Sequence, residues 1–235
     1  MMLVIVLATL AICSCQRSTG GKTARDVPPR REGALVDGID VSSHQGDIDW
    51  EKVAANDDIR FAYVKATEGE TYRSPHYLAN VRQARSLGLL VGSYHYLSTT
   101  SPISEQCRNF VSTIGQINQD LIPMIDVEDR GEWSRSQLID SLSVMAHMLE
   151  QHFGHKPMIY STMDFYNLNL SPQFNKYPLY IGRYSSSPPS ISWEGEYTIW
   201  QFTEDGIMAG INVYVDLCRF HPDHDLAELL LSQSD

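Results

Sequence analysis

Ile122-Pro123-Met124-Ile125-Asp126-Val127-Glu128 is a short apolar run that closes on two carboxylates two residues apart. Runs of this length, bounded by turn formers and rich in β-branched residues, read as buried strands. Seven more stretches have the same character: 35–41 (LVDGIDV), 61–66 (FAYVKA), 89–97 (LLVGSYHYL), 157–161 (PMIYS), 178–184 (PLYIGRY), 198–202 (TIWQF) and 213–218 (VYVDLC). Between the early ones lie helical patterns. Residues 75–87 begin with Pro75 and stop before Gly88, a C-cap signal, 103–117 have core-facing spacing, and 135–152 follow Ser134, a good N-cap. Strands alternating with helices imply an α/β fold with a mainly parallel sheet buried on both faces. Eight such strands favour a closed barrel over an open sheet. The gaps shorten after the fifth strand, so a regular TIM barrel is not required.

The 235 residues suffice for one substantial core, and 43% hydrophobic with 20% charged residues excludes disorder of the whole chain. Eighteen Lys and Arg against 29 Asp and Glu leave a formal net charge of -11. No basic footprint for nucleic acid is visible. The acidic surface gives no electrostatic hold on an anionic wall or membrane either, so recognition must come from a local cleft.

Met1 to Cys13 is almost wholly apolar and too short to span a bilayer, and Ile12-Cys13-Ser14-Cys15 looks like a lipobox with Cys15 as the acylated residue. The reading is a lipoprotein-type signal over 1–15 and a flexible tether over 16–34, rich in Gly, Pro and Arg. One domain then occupies 35–235. Its two cysteines, Cys107 and Cys218, are expected to be buried free thiols.

Nearly every strand ends in residues that carry chemistry. These are Asp40, Lys65 with Glu68, Tyr94-His95-Tyr96, Asp126 and Glu128, Tyr160, Arg183-Tyr184, Trp200-Gln201, and Asp216. In a parallel barrel the C-terminal strand ends share one face, where active sites sit. Asp126 and Glu128, at i and i+2, project to the same side with Cα atoms roughly 6.5–7 Å apart. Two carboxylates at one cleft push their pKa values apart, leaving one as a proton donor and the other as an anion. Cleavage of a glycosidic bond needs that arrangement. The tyrosines and Trp200 offer flat faces for sugar rings, or are core residues with polar tips. A metal centre is the rival reading, with Asp40, Asp126, Glu128 and Asp216 joined by His44 and His95. It ranks second for want of an H-x-x-H or H-x-D pair. The other histidines, His76, His147, His152, His155, His221 and His224, are expected at the surface or in packing.

With these residues in view, the chain resembles glycoside hydrolase family 25, the Chalaropsis-type lysozymes. The resemblance rests on Gly38-Ile39-Asp40-Val41-Ser42, His44-Gln45-Gly46, Phe61 to Gly69, Gly92-Ser93-Tyr94-His95-Tyr96, Pro123 to Glu128, Ile159-Tyr160, Trp200-Gln201-Phe202 and Val215-Asp216-Leu217. It implies a single irregular TIM-like barrel of five β/α units followed by three further strands. It also implies hydrolysis of the β-1,4 bond between N-acetylmuramic acid and N-acetylglucosamine in peptidoglycan, with no metal or other cofactor. Glu128 would be the general acid/base, Asp126 would assist the substrate's N-acetyl group or stabilise the cation, and Asp40 and Asp216 would tune the pair. Lys65, Glu68, Tyr94, His95, Tyr96, Tyr160, Arg183, Tyr184, Trp200 and Gln201 are the expected substrate contacts. Arg183 departs from the family pattern and is expected to pair with a lactyl carboxylate or peptide stem. The expected partners are glycan strands, with a membrane met only through the lipid anchor. The expected state is a monomer in the cell envelope, lipid-anchored or secreted. The alternatives are a non-catalytic glycan-binding lipoprotein and a metal-dependent polysaccharide deacetylase.

Overall fold

The computed structural model describes residues 26–231, so the leader with Cys15 and the first part of the tether lie outside the described residues. All eight expected strands form. In chain order they are β1 (Gly38–Val41), β2 (Phe61–Glu68), β4 (Leu90–Tyr96), β5 (Met124–Asp126), β6 (Met158–Thr162), β7 (Leu179–Gly182), β8 (Ile199–Gly206) and β9 (Val215–Phe220). A two-residue strand, β3 (Tyr72–Arg73), folds back on the end of β2. The helices are α1 (Trp50–Ala54), α2 (Tyr77–Ser86), α3 (Ile103–Ile114) and α4 (Arg135–Phe153). The sequence pattern had no signal for α1 and β3, whose five and two residues are too short to show a period. Ser134 caps α4 as expected, accepting the Gln137 N–H in a capping box, and Gly154 ends it in the left-handed conformation.

The strands follow the order β1-β9-β8-β7-β6-β5-β4-β2, and pairing of β1 with β2 closes the ring. Seven strands run parallel. The last one, β9, does not, and runs antiparallel to both β8 and β1. The expectation that every strand would present its C-terminal end at the site therefore fails for β9, and its N-terminal end stands at the mouth instead. The register pairs Asp40 with Asp216 across β1 and β9.

Alternation along the strands separates two cores. Phe61, Tyr63, Leu90, Met124, Met158, Tyr180, Ile199, Cys218 and Phe220 fill the barrel interior. Ile39, Val64, Val91, Ile125, Ile159, Ile181 and Trp200 face outward, with Phe110, Leu142 and Met145 of the helices in the same cluster. Cys107 and Cys218 are both free and buried, one in each core. The C-terminal segment plugs the end of the barrel away from the site: Leu226 and Leu229 join the inner core, and the Ile122 N–H donates to the Leu229 carbonyl. Part of the stretch expected as tether lies against the same end. Val27 packs on the inner core, and Arg30 donates to the fully buried Asp37, which also accepts from Arg60 and the Phe220 N–H.

Gly92 on β4 makes room for the ring of Tyr63, since a Cβ there would lie 2.2 Å from a Tyr63 ring carbon. The ring is inside the barrel and its hydroxyl donates to the Ile122 carbonyl, so it has nowhere to retreat. Gly92→Ala is expected to destabilise the fold by about 1–3 kcal/mol through overpacking, lowering Tm by about 2–4 °C per kcal/mol. Differential scanning calorimetry checks this, and an unchanged Tm would refute the tight contact.

Candidate active site

At the mouth of the barrel lies a cleft of about 330 Å³ lined by Asp40, Asp126, Glu128, Glu204 and Asp216, with Tyr94, Tyr160, Tyr184, Gln201, Met124 and Thr162. Strand pairing explains who arrives there. Tyr96 and Tyr160 flank Asp126 on the two neighbouring strands. The extended chain continues past β5, because the Val127 N–H donates to the Tyr160 carbonyl. Glu128 therefore stays on the same side as Asp126, two residues further out. Asp126 is buried, whereas Glu128 is exposed at the open edge.

Asp40 is the deepest anchor. Its Oδ2 accepts the Tyr180 hydroxyl at 2.5 Å, and both carboxylate oxygens accept the Gln201 amide at 3.1–3.2 Å. Gln201 in turn accepts the Tyr160 and Tyr184 hydroxyls at 2.7 and 3.1 Å. Gly182 is what lets these groups meet: a Cβ there would lie 3.0 Å from the Tyr160 hydroxyl and 3.1 Å from the Gln201 carbonyl oxygen.

Burial and mutual repulsion govern the protonation of the acids. Burial raises Asp126 well above the usual carboxylate range, the Glu128 charge raises it further, and Lys65 opposes both. Glu128 is raised too, first by burial of its carboxyl, then by the Asp40 charge, with Glu204 adding to the effect. Burial also raises Asp40, against hydrogen bonds from Tyr180, Asp216 and Gln201 that favour its anion. Asp216 is pushed up to about 9 by burial, by the Asp40 charge and by its hydrogen bond to Asp40. Asp216 thus keeps its proton at neutral pH and donates it to Asp40, and the four acids share fewer charges than their number suggests. Oδ1 of Asp126 is buried without a hydrogen-bond partner among the described residues.

Not every expected contact reaches this cleft. His95 faces the other way, fully buried between Thr67 (2.8 Å) and Gln106 (3.0 Å) and tilted against Phe110 of α3. Its burial lowers its pKa to about 4, so it is a neutral packing residue and not a sugar contact. Trp200 also points outward, donating to the Arg183 carbonyl beneath the Arg219 guanidinium. Arg183 donates to the Pro188 carbonyl and lines a neighbouring cavity of about 420 Å³ that shares Thr162 and Tyr184 with the acid cleft. Lys65 and Tyr96 stand at the rim, the ammonium 4.8 Å from the Tyr96 ring centre and 2.7 Å from Glu68. Glu204, Thr162, Met124 and Tyr180 escaped the sequence reading. Period-two alternation from Asp126, Tyr160 and Gly182 points to Met124, Thr162 and Tyr180, and β8 outruns its apolar stretch to reach Glu204.

A barrel carrying a carboxylate pair at its mouth, one acid buried and one at the open edge, is the frame of a glycosidase. The family model for glycosyl hydrolases family 25 matches residues 39–211. The protein YegX of Escherichia coli (strain K12) is 38% identical over 193 residues, spanning 79% of this chain and 70% of YegX. The autolytic lysozyme of Clostridium acetobutylicum is 33% identical over 186 residues, 78% of this chain and 55% of that protein. A family 25 glycosyl hydrolase of Bacillus anthracis superposes with a TM-score of 0.74 at 31% identity, covering 86% of this chain and 95% of that one. The chain belongs to glycosyl hydrolases family 25.

Two measurements test the electrostatics. Asp216 ionises near 3.8 in the unfolded chain but near 9 when folded. Its contribution to stability is therefore full below 3.8 and lost as pH rises toward 9. Asp216→Asn keeps a donor for Asp40 and cannot ionise, so its Tm should exceed that of wild type by a margin that widens from about pH 5 to about pH 8. A constant margin would contradict the raised pKa. Glu204→Gln removes one charge that holds Glu128 up, so the basic limb of the kcat/KM profile should move to lower pH. An unmoved limb would remove Glu204 from the electrostatics of the pair.

Proposed function

We propose that this protein is a muramidase that hydrolyses the β-1,4 bond between N-acetylmuramic acid and N-acetylglucosamine in peptidoglycan, with Glu128 as general acid/base and Asp126 as the group that aligns the substrate's N-acetyl amide. The observation that carries the proposal is the unequal placement of the pair: Glu128 at the open edge with a raised pKa, and Asp126 buried in the wall of the same cleft. A raised glutamic acid at the edge can protonate the oxygen of the leaving sugar. The carboxyl of Asp126 lines the cleft and is the acceptor that an acetamido N–H would meet, which turns the amide carbonyl toward the anomeric carbon. That carbonyl attacks as the bond to the leaving oxygen breaks, and Glu128, now ionised, takes a proton from the water that opens the intermediate.

Lysozyme and muramidase are the names carried by several relatives, among them the autolytic lysozyme of Clostridium acetobutylicum and the N,O-diacetylmuramidase of Chalaropsis, 26% identical over 201 residues. Tyr94, Tyr160 and Tyr184 line the sugar path, and Asp40, held by Tyr180 and Gln201, keeps the floor rigid. Because Arg183 lies in the adjoining cavity, its role is recognition of an acidic substituent beyond the cleaved bond. The lipobox reading of Ile12-Cys13-Ser14-Cys15 supports tethering through Cys15 in the cell envelope. No described helix is long and apolar enough to cross a membrane.

Release of reducing ends from purified peptidoglycan tests the proposal. Wild type should release them, and Glu128→Gln should be slower by about 10²–10⁴-fold, the usual share of a general acid. Asp126→Asn should lower kcat with little change in KM. If wild type releases none, a glycan-binding module is the surviving reading. If Glu128→Gln keeps full activity, the acid is misassigned.

A further inference from the structure

At the closed end of the barrel, opposite the acid cleft, three side chains from two segments converge. Glu196 precedes β8, and His221 and His224 follow β9 in the run His221-Pro222-Asp223-His224. That run is an H-x-x-H and contains an H-x-D, so the expectation that neither spacing occurs is corrected here. One ligand atom from each of Glu196, His221 and His224 lies within 4.8 Å of the others. His224 Nε2 is 2.9 Å from Glu196 Oε1, and its Nδ1 is 2.8 Å from Glu228 Oε2.

We propose that Glu196, His221 and His224 bind a zinc-type divalent cation, with Glu228 as the outer carboxylate that orients His224. Two imidazoles and a carboxylate are the donor set that borderline metals such as Zn²⁺ favour, with ligand atoms at about 2.0–2.2 Å and a fourth position for water. The second shell is already in place. A metal-binding histidine normally gives its other ring nitrogen to a carboxylate, and Glu228 stands there on Nδ1. A histidine held between two glutamates is also what a plain salt bridge looks like. His221 is what a salt bridge does not need: its ring stands beside His224, 5.8 Å between centres, and edge-on to Tyr197.

The backbone under the ligands is fixed. The His221 N–H donates to the Thr198 carbonyl, and the His224 N–H to the His221 carbonyl. His224, Glu196 and Glu228 also border a cavity of about 300 Å³ that gives an ion and its water a way in. Bound there, the ion would tie the entry of β8 and the exit of β9 to the turn whose Leu226 and Leu229 plug the barrel. The site is thus a structural clamp, separate from catalysis.

Zinc chloride titrated into the full chain by calorimetry, with Co²⁺ absorption as a second readout, tests the site. Wild type and Glu128→Gln should each bind one equivalent, and zinc should raise Tm in a manner reversed by EDTA. The His221→Ala/His224→Ala double variant should lose binding. Glu228→Gln, which removes only the outer carboxylate, should weaken it about 10–100-fold while its circular dichroism and glycan hydrolysis stay those of wild type. The proposal is overturned if wild type binds no zinc or if Glu228→Gln binds as tightly as wild type. It is also overturned if binding survives the histidine variants and vanishes in Asp126→Asn, which would put the ion in the acid cleft.

Discussion

The site depends on the antiparallel insertion of β9 between β8 and β1. Were β9 parallel like the other seven strands, Asp216, the second residue of the strand, would sit at the far end of the barrel. Reversed, it stands opposite Asp40 in the register and shares a proton with it. The same reversal sends His221 and His224 to the closed end, beside the start of β8, so one strand direction decides the surroundings of both ends.

Within that ring, the two-residue period of the strands sorts side chains by chemistry. Inward positions carry aromatic bulk near the closed end and acids at the mouth; outward positions carry the aliphatic residues that the helices cover. Neighbours in sequence therefore part company. Tyr94 lines the cleft while His95 is sealed against α3, and Gln201 holds Asp40 while Trp200 packs outside.

The inward acids set a tension between stability and chemistry. Asp40, Asp126 and Asp216 are raised mainly by burial, which means the folded state pays to keep them. Proton sharing between Asp216 and Asp40 and the donors Tyr180 and Gln201 relieve part of that cost. Asp126 has no such relief at Oδ1, so its burial is the least compensated of the three.

The sequence by itself determined the eight strands, the order of strands and helices, the capping of α4 by Ser134, and the acids Asp40, Asp126, Glu128 and Asp216, because apolar period and capping chemistry are local. It also carried the family motifs. Only the tertiary structure decided the direction of β9, the outward turn of His95, Trp200 and Arg183, and the arrival of Glu204 and Tyr180. These depend on which strands pair and in which register, and residues such as Asp40 and Gln201, 161 positions apart, meet only once the barrel closes. The pair of histidines at the closed end was in the sequence as well, with Glu228 four residues after His224, but Glu196 comes from the segment before β8 and could not be joined to them before the strands were paired.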